Sequence, residues 1–261
     1  IINELLPPTY LTDANFSFDG KRVATASSGY SDVYLRVLDV DTGEVLAKQK
    51  LASTHTLFAG VALDNFGNHL IYYHKHFLNI LDVETNQITQ KINLQVRGGP
   101  EDLIYLGNKQ LLLSYTSFQK SIILDIETGE IIFELPGEMQ WVTPDMRWIF
   151  SWDYFKDQIH KSNSQSLEKI ATYPVNGEDY KGGTTVFSPD ATSILKKCDS
   201  GYTFREIVGN DKIVEKQTIH LKGGKQQFSP DGQYIAIRAG HTAYIYNADE
   251  FLSHAKGAEQ Y

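Results

Sequence analysis

The chain has one cysteine, Cys198, in 261 residues. That excludes an internal disulfide and a cysteine cluster for zinc, and it fits an oxidising or a reducing compartment equally. No apolar run approaches the roughly 20 residues that a membrane-spanning helix needs, so no transmembrane segment is expected. An excess of positive charge is missing too. The 24 Lys and Arg stand against 32 Asp and Glu, a net charge of -8, and the average field repels a phosphate backbone. Nucleic acid is therefore not an expected partner. Also absent are the Gly-x-Ser-x-Gly elbow, the His-Glu-x-x-His metal helix, the phosphate-binding loop and the dinucleotide fingerprint. No catalytic residue is assigned from the sequence, and no cofactor is expected beyond the divalent metal considered below.

What is present is a short phrase that returns about every 42 residues, a spacing typical of radial repetition. It runs apolar, polar, Pro or small, Asp, Gly. Its six occurrences are Phe16-Ser17-Phe18-Asp19-Gly20, Leu63-Asp64-Asn65-Phe66-Gly67, Tyr105-Leu106-Gly107-Asn108-Lys109, Val142-Thr143-Pro144-Asp145-Met146, Phe187-Ser188-Pro189-Asp190-Ala191 and Phe228-Ser229-Pro230-Asp231-Gly232. Runs of strand length and composition follow each phrase, as in Leu70-Ile71-Tyr72-Tyr73 and Phe77-Leu78-Asn79-Ile80-Leu81. Turns such as Asp41-Thr42-Gly43 and Glu127-Thr128-Gly129 then lead into a further run. Four antiparallel strands per unit make a propeller blade.

The phrase Phe-Ser-Pro-Asp-Gly, with Leu38-Asp39-Val40-Asp41-Thr42-Gly43-Glu44 after a third strand, resembles the WD-repeat-like, TolB-like and YVTN groups of bacterial β-propellers. The resemblance covers nearly the whole chain and implies a blade, not an activity. No blade has a Trp-Asp pair closing its third strand, and no Gly-His dipeptide opens a blade, as they do in eukaryotic WD repeats. The expected fold is all-β, a six-bladed β-propeller of four-stranded antiparallel blades forming one domain over residues 1–261. The last unit lacks an outer strand, and Ile1-Ile2-Asn3-Glu4-Leu5 copies Ile131-Ile132-Phe133-Glu134-Leu135. The N-terminal residues 1–6 are thus expected to close the ring beside the C-terminal blade, with residues 251–261 a short tail.

Function is expected opposite the repeated turns, whose Asp residues are read as caps. Each of Arg97, Lys181 and Lys222 precedes a Gly pair before a first strand. The glycines fit close approach at a crowded axis, while the cations could attract an anionic ligand. His74 and His76 alternate at a hairpin tip, a usable spacing for a divalent metal, with solvated loop histidines as the plainer reading. Trp152, Tyr154 and Phe155 fall in one hairpin loop, where aromatic residues serve either packing or a partner interface.

The leading expectation is a non-enzymatic propeller that binds a protein or small-molecule ligand as a scaffold, sensor or envelope component, as a monomer or within a larger assembly. A periplasmic or envelope location is favoured over the cytoplasm. One alternative is a metal-assisted hydrolase or lactonase with acidic residues at the axial mouth, drawn from Asp13, Glu101, Asp102, Glu138 and Asp179. Another, prompted by a chain that begins at Ile1, is a structural domain excised from a larger multidomain protein.

Overall fold

A computed structural model describes residues 10–254 apart from 29–31, 53–58, 95–98, 101, 116–119, 144, 154, 176–184, 211, 222–225, 230 and 240–241. The chain divides into two compact units, Ile1–Leu135 and Pro136–Tyr261. The first holds three sheets, each an antiparallel meander whose spatial order follows the chain. Blade one is β1 (Tyr10–Phe16), β2 (Arg22–Ser28), β3 (Asp32–Asp39) and β4 (Val45–Ala52). Blade two is β5 (Ala59–Leu63), β6 (His69–His74), β7 (Phe77–Asp82) and β8 (Gln87–Asn93). Blade three is β9 (Asp102–Gly107), β10 (Gln110–Tyr115), β11 (Lys120–Asp125) and β12 (Ile131–Pro136).

The second unit repeats the plan. Blade four is β13 (Glu138–Val142), β14 (Trp148–Asp153), β15 (Gln158–Asn163) and β16 (Lys169–Pro174). Blade five is β17 (Thr185–Phe187), β18 (Ser193–Cys198), β19 (Gly201–Val208) and β20 (Lys212–Ile219). Blade six has three strands among the described residues, β21 (Gln226–Phe228), β22 (Tyr234–Ala239) and β23 (Thr242–Asn247). It is followed by a short helix, α1 (Ala248–His254), whose last turn lies in the stretch that the sequence suggested as a short C-terminal tail. The expected closing strand at residues 1–6 lies outside the described residues.

Side-chain alternation explains why the middle strands read as unbroken apolar runs. In β6, Leu70 and Tyr72 point to blade one, where they join Ala24, Ala26, Leu35 and Val37 in one buried cluster. Ile71 and Tyr73 point the other way, to Leu103, Leu111, Leu113 and Tyr115 of blade three. A strand covered on both faces has no position for a polar residue that water can reach. In the second unit Phe150 and Trp152 pack on Phe187 and Ile194, and Leu195 and Tyr202 on Phe228, Ile235 and Ile237. Phe150 and Phe187 stack with ring centroids 3.8 Å apart. Fully burying a side chain of this size contributes about 1.5 to 3 kcal/mol, a sizeable part of a domain's net stability.

The recurring phrase builds one hydrogen-bonded turn four times. In blade five Ser188 Oγ donates to Asp190 Oδ1 at 2.5 Å and accepts from the Ser193 amide at 2.9 Å, while the Thr192 amide donates to Asp190 Oδ1 at 3.1 Å. Ser17 and Asp19, Thr143 and Asp145, and Ser229 and Asp231 make the same bonds. These carboxylates cap turns, as the sequence reading held. Between third and fourth strands the cap is Asp39, Asp82 or Asp125, each accepting from the amide of the Thr three residues on. Asp41, inside the first of these turns, has no such role.

Candidate functional site

In an antiparallel meander the connections between first and second strands and between third and fourth emerge at one end of the sheet. The connection between second and third strands emerges at the other. Blade four places its hairpin, residues 153–158, at that second end, and Phe155 on it is 81% exposed. The hairpin is held from below. The Lys156 amide donates to the Asp153 carbonyl and to Asp153 Oδ1, both at 3.3 Å, and Lys156 Nζ lies 3.0 Å from Asp153 Oδ2. Asp157 takes a positive φ of 49°, which turns the chain back into β15.

Of the three aromatic residues placed in this loop by sequence, Phe155 alone is seen there. Tyr154 lies outside the described residues. Trp152 sits lower: β14 runs to Asp153, and the Trp152 ring, 7% exposed, joins the core between blades four and five. Period-two spacing from Trp148 through Phe150 to Trp152 carries this signal.

Asp153 has a second neighbour, a buried one, that sequence reasoning did not single out. His160, 4% exposed, faces it from β15. Its Nδ1 lies 3.0 Å from Thr172 Oγ1, and its Nε2 lies 4.0 Å from Asp153 Oδ2, beyond hydrogen-bond reach. Burial holds the imidazole below its ordinary range, and the Lys169 charge adds to this against the attraction of Asp153. Burial pushes the Asp153 carboxyl up, but the hydrogen bonds and charge of Lys156 outweigh it and leave the group lowered. At neutral pH the pair is thus a carboxylate beside a neutral imidazole.

Elsewhere the candidates separate. Arg97, Lys181 and Lys222 lie outside the described residues. Gly99, of the first Gly pair, has a structural reason to lack a side chain: a Cβ there would stand 2.6 Å from Tyr73 Cε1. His74 ends β6 half-buried, and burial depresses its pKa. His76 is exposed in the turn at φ 70°. Among the described residues no group of three or more His, Cys, Asp or Glu is placed to hold a metal ion. Asp13, proposed for the axial mouth, accepts from the Val61 amide at 2.8 Å and so ties blade one to blade two.

The second unit also has a cleft of about 370 Å³ at its repeated-turn end. Asp145, Asp190, Asp231 and Asp249 line it together with Arg147 and Phe228. The first three are the turn caps already described.

No family model matches the chain, and no curated protein is similar to it in sequence. Solved structures are similar in fold. The β-propeller domain of Myceliophteria thermophila Cps50 (Swd1) is 13% identical, with 95% of this chain and 86% of that chain covered at a TM-score of 0.66. A chain of the mitotic checkpoint complex is 14% identical over 92% and 74%, TM-score 0.66. A chain of Kuenenia stuttgartiensis hydrazine synthase is 15% identical over 96% and 80%, TM-score 0.65. Likeness at this identity establishes architecture and leaves activity open, since one fold hosts many functions. The chain is a six-bladed β-propeller.

Proposed function

We propose that this propeller is a binding module without catalysis of its own, and that it engages a protein partner through the hairpin end of blade four. The observation that carries the reading is Phe155, a large apolar side chain 81% exposed on a hairpin whose base is fixed by Asp153 and Lys156. An aromatic residue on a tethered hairpin loses less entropy on insertion into an apolar pocket than one on an untethered loop, which makes it a better anchor. A scaffold, sensor or envelope role follows from that binding reading, since the repeat phrase itself marks a blade and not an activity. A periplasmic or envelope location belongs to the same proposal.

The test compares wild type with Phe155→Asp in quantitative affinity purification from the source cells, followed by binding measurements on the recovered partner. The expected result is a partner held by wild type and weakened at least tenfold by the substitution, with the melting temperature unchanged. Identical recovery by both proteins would overturn the reading. A melting temperature raised by added Ca²⁺ or a transition ion and restored by chelator would instead support the metal-assisted hydrolase.

A further inference from the structure

The hairpin that presents Phe155 is fastened by a carboxylate with two competing cationic partners, one permanent and one conditional. Lys156 Nζ is 3.0 Å from Asp153 Oδ2, and its side chain is 66% exposed. Water can solvate that ammonium as well as the carboxylate does, so releasing the contact costs little. His160 Nε2 stands 4.0 Å from the same oxygen, and both its ring and Asp153 are at least nine-tenths buried. An imidazolium there has no comparable access to water and needs the carboxylate. The other groups facing the ring are Thr172 and Lys169 of β16 and Ser151, its cross-strand neighbour on β14. Among the described residues Ser151 Oγ is buried with no hydrogen-bond partner, and Lys169 and, less strongly, Lys156 disfavour the charged ring. Asp153 is the anion within reach of a protonated His160 among these groups.

We infer that Asp153 is a proton-controlled latch: when His160 takes up a proton, Asp153 closes on the imidazolium and releases Lys156, loosening the hairpin that carries Phe155. The inference deepens the proposed function, since it makes acidity a regulator of the same contact surface. Burial of His160 sets the switch below the ordinary histidine range, so the latch holds at neutral pH and opens in mild acid.

The experiment follows the His160 ring by NMR titration and the Lys156 and Asp157 amides by hydrogen exchange, corrected for the intrinsic pH dependence of exchange. Wild type is expected to lose about threefold in protection at these amides as His160 titrates, the size of one weak ion pair with its turn bond. In His160→Gln the corrected protection stays flat. In Lys156→Met, a surface change that leaves the core intact, the His160 midpoint moves up because a nearby positive charge is gone and its carboxylate is free. Three results would each overturn the latch: unchanged protection while His160 protonates, the same loss in His160→Gln, or a ring that stays neutral until the protein unfolds. None of these measurements uses a partner. A failure of Phe155 as an anchor and a failure of the latch are therefore separate outcomes.

Discussion

Replacing Ser188 with Ala tests whether the recurring phrase is architecture. The hydroxyl is 7% exposed, accepts from the Ser193 amide at 2.9 Å and donates to Asp190 Oδ1 at 2.5 Å. Its neighbours Phe187 and Ala191 are each 2% exposed, so water has little room to take its place. Stranding a buried amide costs about 1 to 3 kcal/mol. Asp190 keeps the Thr192 amide and hydroxyl, at 3.1 and 2.8 Å, and loses only part of its support. A destabilisation of about 2 kcal/mol is expected, and for a chain of this size that lowers the melting temperature by roughly 4 to 8 °C. Calorimetry or circular dichroism would measure it. Ser188→Thr is the control, because Thr143 makes the same pair of bonds in blade four, to Asp145 at 2.7 Å and from the Trp148 amide at 3.1 Å. It should recover most of the loss. An unchanged melting temperature in Ser188→Ala, or equal losses in Ala and Thr, would refute the structural reading of the phrase.

Other substitutions separate packing from presentation. Trp152→Ala should cost about 3 to 5 kcal/mol by opening the core of blade four, whereas Phe155→Asp, three residues on, should stay within about 0.5 kcal/mol of wild type in denaturant melts. Gly137→Ala should destabilise by at least about 2 kcal/mol, since φ is 77° and a Cβ would press on the Trp152 carbonyl; thermal melting checks it. Alkaline titration should expose Tyr72, pushed up to about 12 by burial. The folded state favours the neutral phenol, so this contribution is complete below the unfolded value near 10 and fades as pH rises toward 12. Tyr72→Phe should flatten the stability loss in that window. Acid acts in the opposite sense through His160, whose folded value is depressed. Its contribution is present above the unfolded value near 6.5 and fades as pH falls through the folded one, a slope that His160→Gln should remove.

The distance over which each feature is determined explains what the sequence reveals. Ser188, Asp190 and Ser193 span six residues and bond among themselves, so the turn is written locally and can be counted blade by blade. Strand runs are equally local, and the six-blade count follows from them. Trp152 shows the boundary of such reasoning. Its neighbours Asp153 and Phe155 belong to the hairpin, and what assigns Trp152 to the core is the alternation begun at Trp148, which a loop-centred reading passes over. His160 is harder still. It lies in an unremarkable stretch, Gln158-Ile159-His160-Lys161, and acquires meaning only because the β14–β15 register sets it opposite Ser151 and near Asp153. No spacing rule within either strand encodes that meeting. The proposal that the blade-four hairpin, rather than the repeated turns, meets a partner rests on a physical contrast. A turn whose cap residues bond one another and the adjoining backbone has little left to offer a partner, whereas the hairpin spends one carboxylate on its own closure and turns an apolar ring outward.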